Sequence, residues 1–218
     1  MSKPETRPAM AMQPGASAQP TELPAGSLLY DPPTILERLD VTRLFPKMQP
    51  LEVELGCGDS TFLVEYAARH PDRNFLGVER LLGRIRKLDK KGRRLGLTNL
   101  RGIRIECGYF LQYLLPPGSV TAFHIYFPDP WPKKKHQRNR LIQPRFPALA
   151  YAALVPGGRV YLRTDDPDYF AQIQQVFAAA PVFRSIPTPD ELANMWTDFE
   201  RDFRARGIST LYAAYERD

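Results

Sequence analysis

Four acids, Glu54, Glu79, Glu106 and Asp129, stand apart from the other charges of the chain because each lies within or just past a short apolar run. Glu54 belongs to Leu51-Glu52-Val53-Glu54-Leu55, which leads into Gly56-Cys57-Gly58-Asp59-Ser60. A strand that ends in such a turn and enters a helix lets the backbone approach a ligand closely, at the sheet edge where open α/β folds bind cofactors. Taken alone, Gly56 and Gly58 would also suit an ordinary tight turn. Glu79 closes the second apolar run 23 positions after Gly56, the usual offset for a carboxylate that accepts hydrogen bonds from ribose hydroxyls. That feature suits NAD and S-adenosylmethionine alike. Glu54 separates them, because a carboxylate facing the glycine turn repels a pyrophosphate and attracts an ammonium. Thr61 also stands where a dinucleotide fingerprint has its third glycine. Adenosylmethionine is the cofactor this pattern favours. Glu106, just past the third run, is placed either to accept from an adenine amino group or to sit as an exposed loop acid.

Asp129 lies in Ile125-Tyr126-Phe127-Pro128-Asp129-Pro130-Trp131-Pro132. The prolines exclude both helix and strand and present Asp129 and Trp131 on a stiff loop. A carboxylate between prolines, followed by an aromatic ring, physically resembles the loops with which nucleic-acid methylating enzymes grip a base. Trp131 is placed either to stack on a base or to pack against its own loop.

Positioning these groups requires strands that end at one edge. Short apolar runs at Leu51–Leu55, Phe75–Val78, Leu100–Ile105, Val120–Phe127 and Arg159–Arg163 read as strands, with a last alternating strand at Ser209–Tyr215. Amphipathic stretches at Phe62–Arg69, Leu81–Leu95, Phe146–Leu154 and Tyr169–Ala179 read as helices between them. Such alternation predicts a parallel sheet covered by helices on both faces. Residues 1–27, rich in Pro, Ala, Gln, Thr and Ser, cannot bury enough apolar surface to offset chain entropy and read as a disordered tail. Residues 28–218 then form a single domain, beginning with a segment through Leu36, Leu39, Leu44 and Phe45.

A formal charge of +6 favours an anionic partner. Its placement says more. One basic block runs from Arg80 through Arg84, Arg86, Lys87, Lys90, Lys91 and Arg93 to Arg94; a second joins Lys133, Lys134, Lys135, Arg138, Arg140 and Arg145. Together they make a polyphosphate partner, RNA above all, the expected one. No apolar run is long enough to span a membrane, and no secretory leader is visible, so a cytoplasmic location with no membrane partner is expected. Cys57 and Cys107 are expected as reduced thiols, and the scattered His70, His124 and His136 imply no metal.

Several stretches in order resemble the bacterial tRNA (guanine-N7)-methyltransferase family: Glu54-Leu55-Gly56-Cys57-Gly58, Gly77-Val78-Glu79, Phe127-Pro128-Asp129-Pro130-Trp131 with Lys133, Thr164-Asp165, and Thr197-Asp198-Phe199-Glu200. The resemblance covers about residues 50 to 217. It implies a Rossmann-like class I methyltransferase fold with a mostly parallel seven-stranded sheet. It also implies transfer of a methyl group from S-adenosyl-L-methionine to N7 of the guanine at position 46 in the tRNA variable loop, by a monomer or homodimer. Carried onto this chain, Glu54, Gly56, Gly58, Glu79, Glu106 and Asp129 would hold the cofactor, Asp129 would be catalytic, and Lys133, Asp165, Thr197, Asp198, Phe199 and Glu200 would bind the acceptor guanosine. Three positions depart from the family pattern: Ser60 replaces a frequent glycine, Glu106 a frequent aspartate, and Asp198 a frequent lysine. The readings that compete are a NAD-dependent oxidoreductase, an RNA-binding module without catalysis, and a methyltransferase acting on another RNA or a small molecule.

Overall fold

The computed structural model describes residues 26–218. The expected N-terminal tail lies almost wholly outside the described residues. The described residues fold into one sheet of eight strands: β1 (Leu29–Tyr30), β2 (Leu51–Leu55), β3 (Asn74–Val78), β4 (Leu100–Ile103), β5 (Val120–Tyr126), β6 (Leu154–Thr164), β7 (Phe183–Ile186) and β8 (Leu211–Arg217). Their spatial order is β1-β4-β3-β2-β5-β6-β8-β7. The strands from β1 to β6 pair in parallel, and β8 runs antiparallel between β6 and β7. Six of these were located in the sequence; the four-residue β7 and the two-residue edge strand β1, each too short to leave a clear periodic trace, were not, and the sheet has one strand more than the seven the resemblance implied.

Chain order reverses at β2, with β3 on one side and β5 on the other. The carboxyl ends of β2 and β5 therefore flank a crevice where neighbouring connections run to opposite faces, the place where open α/β sheets bind ligands. Gly56 follows β2 and Phe127 follows β5, so both sequence-singled loops open onto this crevice.

Helices cover both faces. On one, α1 (Thr61–Arg69) and α2 (Leu82–Arg94) bury Phe62, Leu63, Tyr66, Ile85 and Leu88. On the other, α3 (Cys107–Tyr109) runs into a π-helical turn at Phe110–Leu114, and these pack with α4 (Phe146–Ala153) and α5 (Pro167–Ala178) on Val53, Phe123 and Leu162. The turn at Phe110–Leu114 was not anticipated, since its period differs from that of an α-helix. Helix α5 starts two residues before its expected beginning because Asp166 caps it, accepting from the Tyr169 N–H at 2.7 Å. Two short helices, α6 (Asp190–Asn194) and α7 (Asp198–Ala205), sit between β7 and β8 and were not anticipated. Gly92 lets α2 approach the sheet, since a Cβ there would meet Leu28 Cδ1 at 2.5 Å. Among the described residues no helix is long and apolar enough to cross a membrane.

Candidate active site

All five residues of β2 are buried, yet its alternation splits them sharply. Leu51, Val53 and Leu55 enter the core under α4 and α5, while Glu52 and Glu54 face the α1 side among Phe62, Tyr66 and Tyr126. Buried carboxylates need partners. Glu52 has them: His124 Nε2 lies 2.7 Å from Oε2 and Arg73 donates to Oε1 at 2.8 Å. Burial pushes its carboxyl up, but His124 and Arg73 outweigh that and hold it below its ordinary range. Glu54 is the exception. It is 4% exposed and its Oε2 has no hydrogen-bond partner. Burial pushes its pKa up to about 8, with Asp59 and Glu79 adding to the rise and Arg163 opposing it. An unpaired buried oxygen costs about 1–3 kcal/mol, and a cationic ligand in the adjoining cleft would relieve it.

The turn beyond β2 is held tightly. Gly56 and Cys57 both donate to the Val78 carbonyl, at 2.9 and 3.0 Å. Glu79 accepts from the Gly58 N–H at 3.2 Å through one oxygen and from the Leu81 N–H at 2.8 Å through the other. Each oxygen keeps a lone pair for a ligand hydroxyl. Ser60, which departs from the family's glycine, has φ +63°. A left-handed backbone costs an L-residue about 1–2 kcal/mol, whereas glycine's extra chain entropy costs about 0.5–1 kcal/mol. Ser60→Gly is therefore expected to raise stability by about 0.5–1 kcal/mol, read as a higher urea midpoint at unchanged slope; a lowered midpoint would count against strain at this position.

The loop after β5 is strained at both ends rather than merely stiffened by proline. Phe127 has φ +51° and Trp131 φ +44°. Such residues persist only when their surroundings over-determine them, and here two clamps do so. The Phe127 N–H donates to the Arg163 carbonyl at 2.8 Å, and the buried Arg140 side chain donates to the Pro130 carbonyl at 2.7 Å. Arg140 is itself held by Asp168 at 2.6 Å and Gln172 at 2.7 Å. Of the second basic block, then, Arg140 serves the loop rather than a partner. Trp131 packs beside His136, with ring centroids 5.9 Å apart.

Asp129 stands exposed where two clefts meet. The first, about 230 Å³, is lined by Gly56, Glu79, Arg84, Glu106, Asp129 and Trp131 among others. The second, about 400 Å³, is lined by Glu54, Gly58, Asp59, Tyr126, Asp165, Thr197 and Phe199. Glu54, Gly56, Gly58, Glu79, Glu106, Asp129, Asp165, Thr197 and Phe199 are thus brought together on adjoining walls. Glu106 spends both oxygens on its own helix, accepting from Gly108 at 2.8 Å and Tyr109 at 2.7 Å. Lys133 is exposed at the start of a 3-10 turn, Lys134–Asn139, and lines neither cleft.

The Thr197–Glu200 stretch divides by role. Thr197 caps α7, accepting from the Glu200 N–H at 3.1 Å. Glu200 is fully buried, pairing with Arg163 at 3.0 Å and accepting from the Tyr212 hydroxyl, so it supports the site from beneath. Asp198 accepts from Thr61 Oγ1 at 2.7 Å and from Arg201 at 2.6 Å. Burial would raise its pKa, but hydrogen bonds with Asp59 and Thr61 and the charges of Lys91 and Arg201 hold it below its ordinary range. Lys91 was read as part of an RNA-facing block; instead it turns inward, donating to the Asp59 carbonyl at 3.0 Å and to Thr61 Oγ1. The sequence reading placed Arg84 only in a basic block and Arg163 only at a strand end, and missed where their side chains go. Arg84 lines both clefts, and Arg163 joins β6 to the α6–α7 segment through the Met195 carbonyl at 2.9 Å, the Leu192 carbonyl and Glu200. A lone arginine closing the apolar Val160-Tyr161-Leu162 run was the signal.

Residues 48–211 match a family model described as putative methyltransferase. The tRNA (guanine-N(7)-)-methyltransferase of Alkalilimnicola ehrlichii is 33% identical over 178 residues, covering 82% of this chain and 75% of that protein. The chain belongs to the tRNA (guanine-N7)-methyltransferase family. A second member, from Chromohalobacter salexigens, is 37% identical over 153 residues, 70% of this chain; the match spans 62% of that protein's length. Members of other methyltransferase groups share the fold. The crystal structure of the 16S rRNA methyltransferase KamB superposes with a TM-score of 0.59 at 16% identity, covering 84% of this chain and 95% of that one. That of TrmN from Thermus thermophilus gives 0.56 at 18%, covering 78% and 45%. Apart from Lys133, the stretches that carried the resemblance fall on the two clefts or on residues packed against them.

Proposed function

We propose that this protein transfers a methyl group from S-adenosyl-L-methionine to N7 of guanine in tRNA, at position 46 of the variable loop. The observation that carries the cofactor is the orphaned Glu54 oxygen, buried beside a glycine turn where it suits the ammonium of a methionyl group and disfavours the pyrophosphate of NAD. Glu79 would accept from the ribose hydroxyls, and Glu106 lies on the same wall, where the adenine would rest. When bound, this cofactor supplies an electrophilic methyl group. The acceptor side follows from family membership and from the second cleft, where Asp129, Asp165, Thr197 and Phe199 line one space.

Guanine N7 offers an in-plane lone pair and no proton, so the residues need not generate the nucleophile. Their task is alignment, an effect worth up to about 7–11 kcal/mol. The ring gains positive charge as the methyl arrives, and the Asp129 and Asp165 carboxylates favour that charge. The same carboxylates can accept from guanine N1–H and N2–H, which adenine cannot offer in that pattern. Exposed cations of both basic blocks, with Lys91 and Arg140 removed from them, supply phosphate contacts to the folded RNA.

The deciding experiment incubates the protein with labelled adenosylmethionine and unmodified bulk tRNA, then maps product by borohydride and aniline cleavage. Label and cleavage at the variable-loop guanine are expected; intact tRNA would overturn the reading. A pH dependence follows from Glu54. With its pKa at about 8 in the free protein, the carboxyl is mostly protonated at pH 7 and must lose that proton to meet an ammonium. Affinity for the cofactor should therefore tighten as pH rises from 6 towards 8 and level off above it. Calorimetric titration in buffers of different ionisation enthalpy should register proton release at pH 7, and Glu54→Gln should abolish it. A pH-independent affinity would remove Glu54 from cofactor binding.

A further inference from the structure

Helix α7 carries Phe199 and Phe203 one turn apart, with Arg206 following on the same face. Phe199 is 50% exposed and its ring centroid lies 6.3 Å from that of Phe203. Phe203 in turn packs edge-on to Phe127 of the strained loop at 5.5 Å. The Arg206 guanidinium lies over the Phe203 ring, 5.1 Å from its centroid. These two rings form a wall with a space on either side. The inner one is the acceptor cleft; the outer, about 470 Å³, is lined by Phe199, Asp202, Phe203, Ala205 and Arg206. Single exposed aromatics need no explanation, but paired rings under a guanidinium, continuous with an acceptor site, have the makeup of a base-stacking platform. The wall is also rigidly mounted, since Thr197 caps the helix and Glu200 ties it to Arg163.

We propose that the outer cleft is a second base site, in which an unpaired nucleotide adjacent to the target guanine lies against Phe203 and Arg206. The inference rests on the RNA acceptor proposed above. It explains a physical difficulty: lifting one base out of a folded loop exposes the neighbour it was stacked on, and a flat aromatic surface beside the entrance replaces that lost stack. Arg206 supplies a planar cation that stacks on a base of any identity and can contact its phosphate.

The test is a cycle between protein and RNA. Tethered fluorophores report binding of the full-length protein, wild type or Arg206→Ala, to tRNA that carries either all its bases or one abasic residue 5′ or 3′ of the target. For one of the two neighbours, removing the base should weaken wild-type binding about tenfold. Arg206→Ala should weaken binding of intact tRNA to a similar extent and add little when the base is already missing, with KM raised and kcat retained. Phe203→Leu, which keeps an apolar side chain but removes the ring, should lower the affinity for intact tRNA in the same way, and the melting temperature of each variant checks its fold. Losses that multiply for both neighbours, or an Arg206→Ala protein that binds intact tRNA like wild type, would overturn the second site. The wild-type samples are also mapped for N7-methylguanine: its absence would sink the acceptor reading, whereas its presence with multiplying losses sinks only this inference.

Discussion

Arg163→Ala is expected to destabilise the protein by about 3–5 kcal/mol, the cost of removing one partner from a buried ion pair. Few substitutions outside the apolar core should cost as much, because the guanidinium is 1% exposed and Glu200 is fully buried. Removing it leaves the carboxylate with only Tyr212 and the more distant Arg204, 3.5 Å away. It also takes the guanidinium donor from the Met195 carbonyl, leaves the Leu192 carbonyl with only the Met195 N–H at 3.3 Å, and removes the cation 4.0 Å from the centroid of the Tyr126 ring. Set against a total stability of about 5–15 kcal/mol, such a loss brings the chain close to unfolding at growth temperature. Urea denaturation checks it. Replacing both partners at once, Arg163→Met with Glu200→Leu, should recover part of the loss, since an apolar pair of similar volume needs no desolvation. A single-mutant loss below about 1 kcal/mol would place the pair among ordinary surface bridges.

Asp129→Ala should behave in the opposite way, losing activity and keeping stability. Asp129 is exposed, and the loop that carries it is held by the Phe127 N–H and by Arg140, not by the aspartate itself. Its removal should leave the urea midpoint within the range of neutral surface changes, about ±0.5 kcal/mol. Turnover on tRNA should fall by about 10²–10³, the loss typical of removing one preorganised electrostatic group from a site of developing charge. Single-turnover rates and tRNA affinity, measured together, separate the effects: the rate should collapse while the affinity changes little. A variant with normal rate would take Asp129 out of the chemistry.

How far the sequence foretold where these residues lie depended on the range of the interactions. Gly56, Gly58, Glu79 and Asp129 were legible because each sits at a strand end, and strand ends in a parallel sheet share one edge. Glu54 was legible because a charge between apolar neighbours in a central strand demands a partner. Arg163 and Glu200 were not paired in advance, since 37 positions separate them and nothing local marks their meeting. Helix α6 was missed because five residues give too little periodicity to read, and α7 because only Phe199 and Phe203 interrupt an otherwise charged run. Lys91 was misassigned for a different reason. On a helix dense in cations, spacing alone does not say which one turns towards Asp59.

The connection between β7 and β8 leaves and re-enters the sheet at nearly the same point, since Ile186 pairs with Ala214 and the two strands run antiparallel through Phe183 and Arg217. Everything between is a loop grown on a hairpin that is already closed. Lengthening such a loop adds only about 0.6 kcal/mol for each doubling. The segment from residue 187 to 210 can therefore be exchanged as a unit only with a replacement that again gives the buried Arg163 a carboxylate and carbonyl acceptors. Such a replacement would reshape the wall of the second cleft that Thr197, Phe199 and Phe203 form, while the glycine turn, Glu54 and Glu79, carried by other strands, would keep their places.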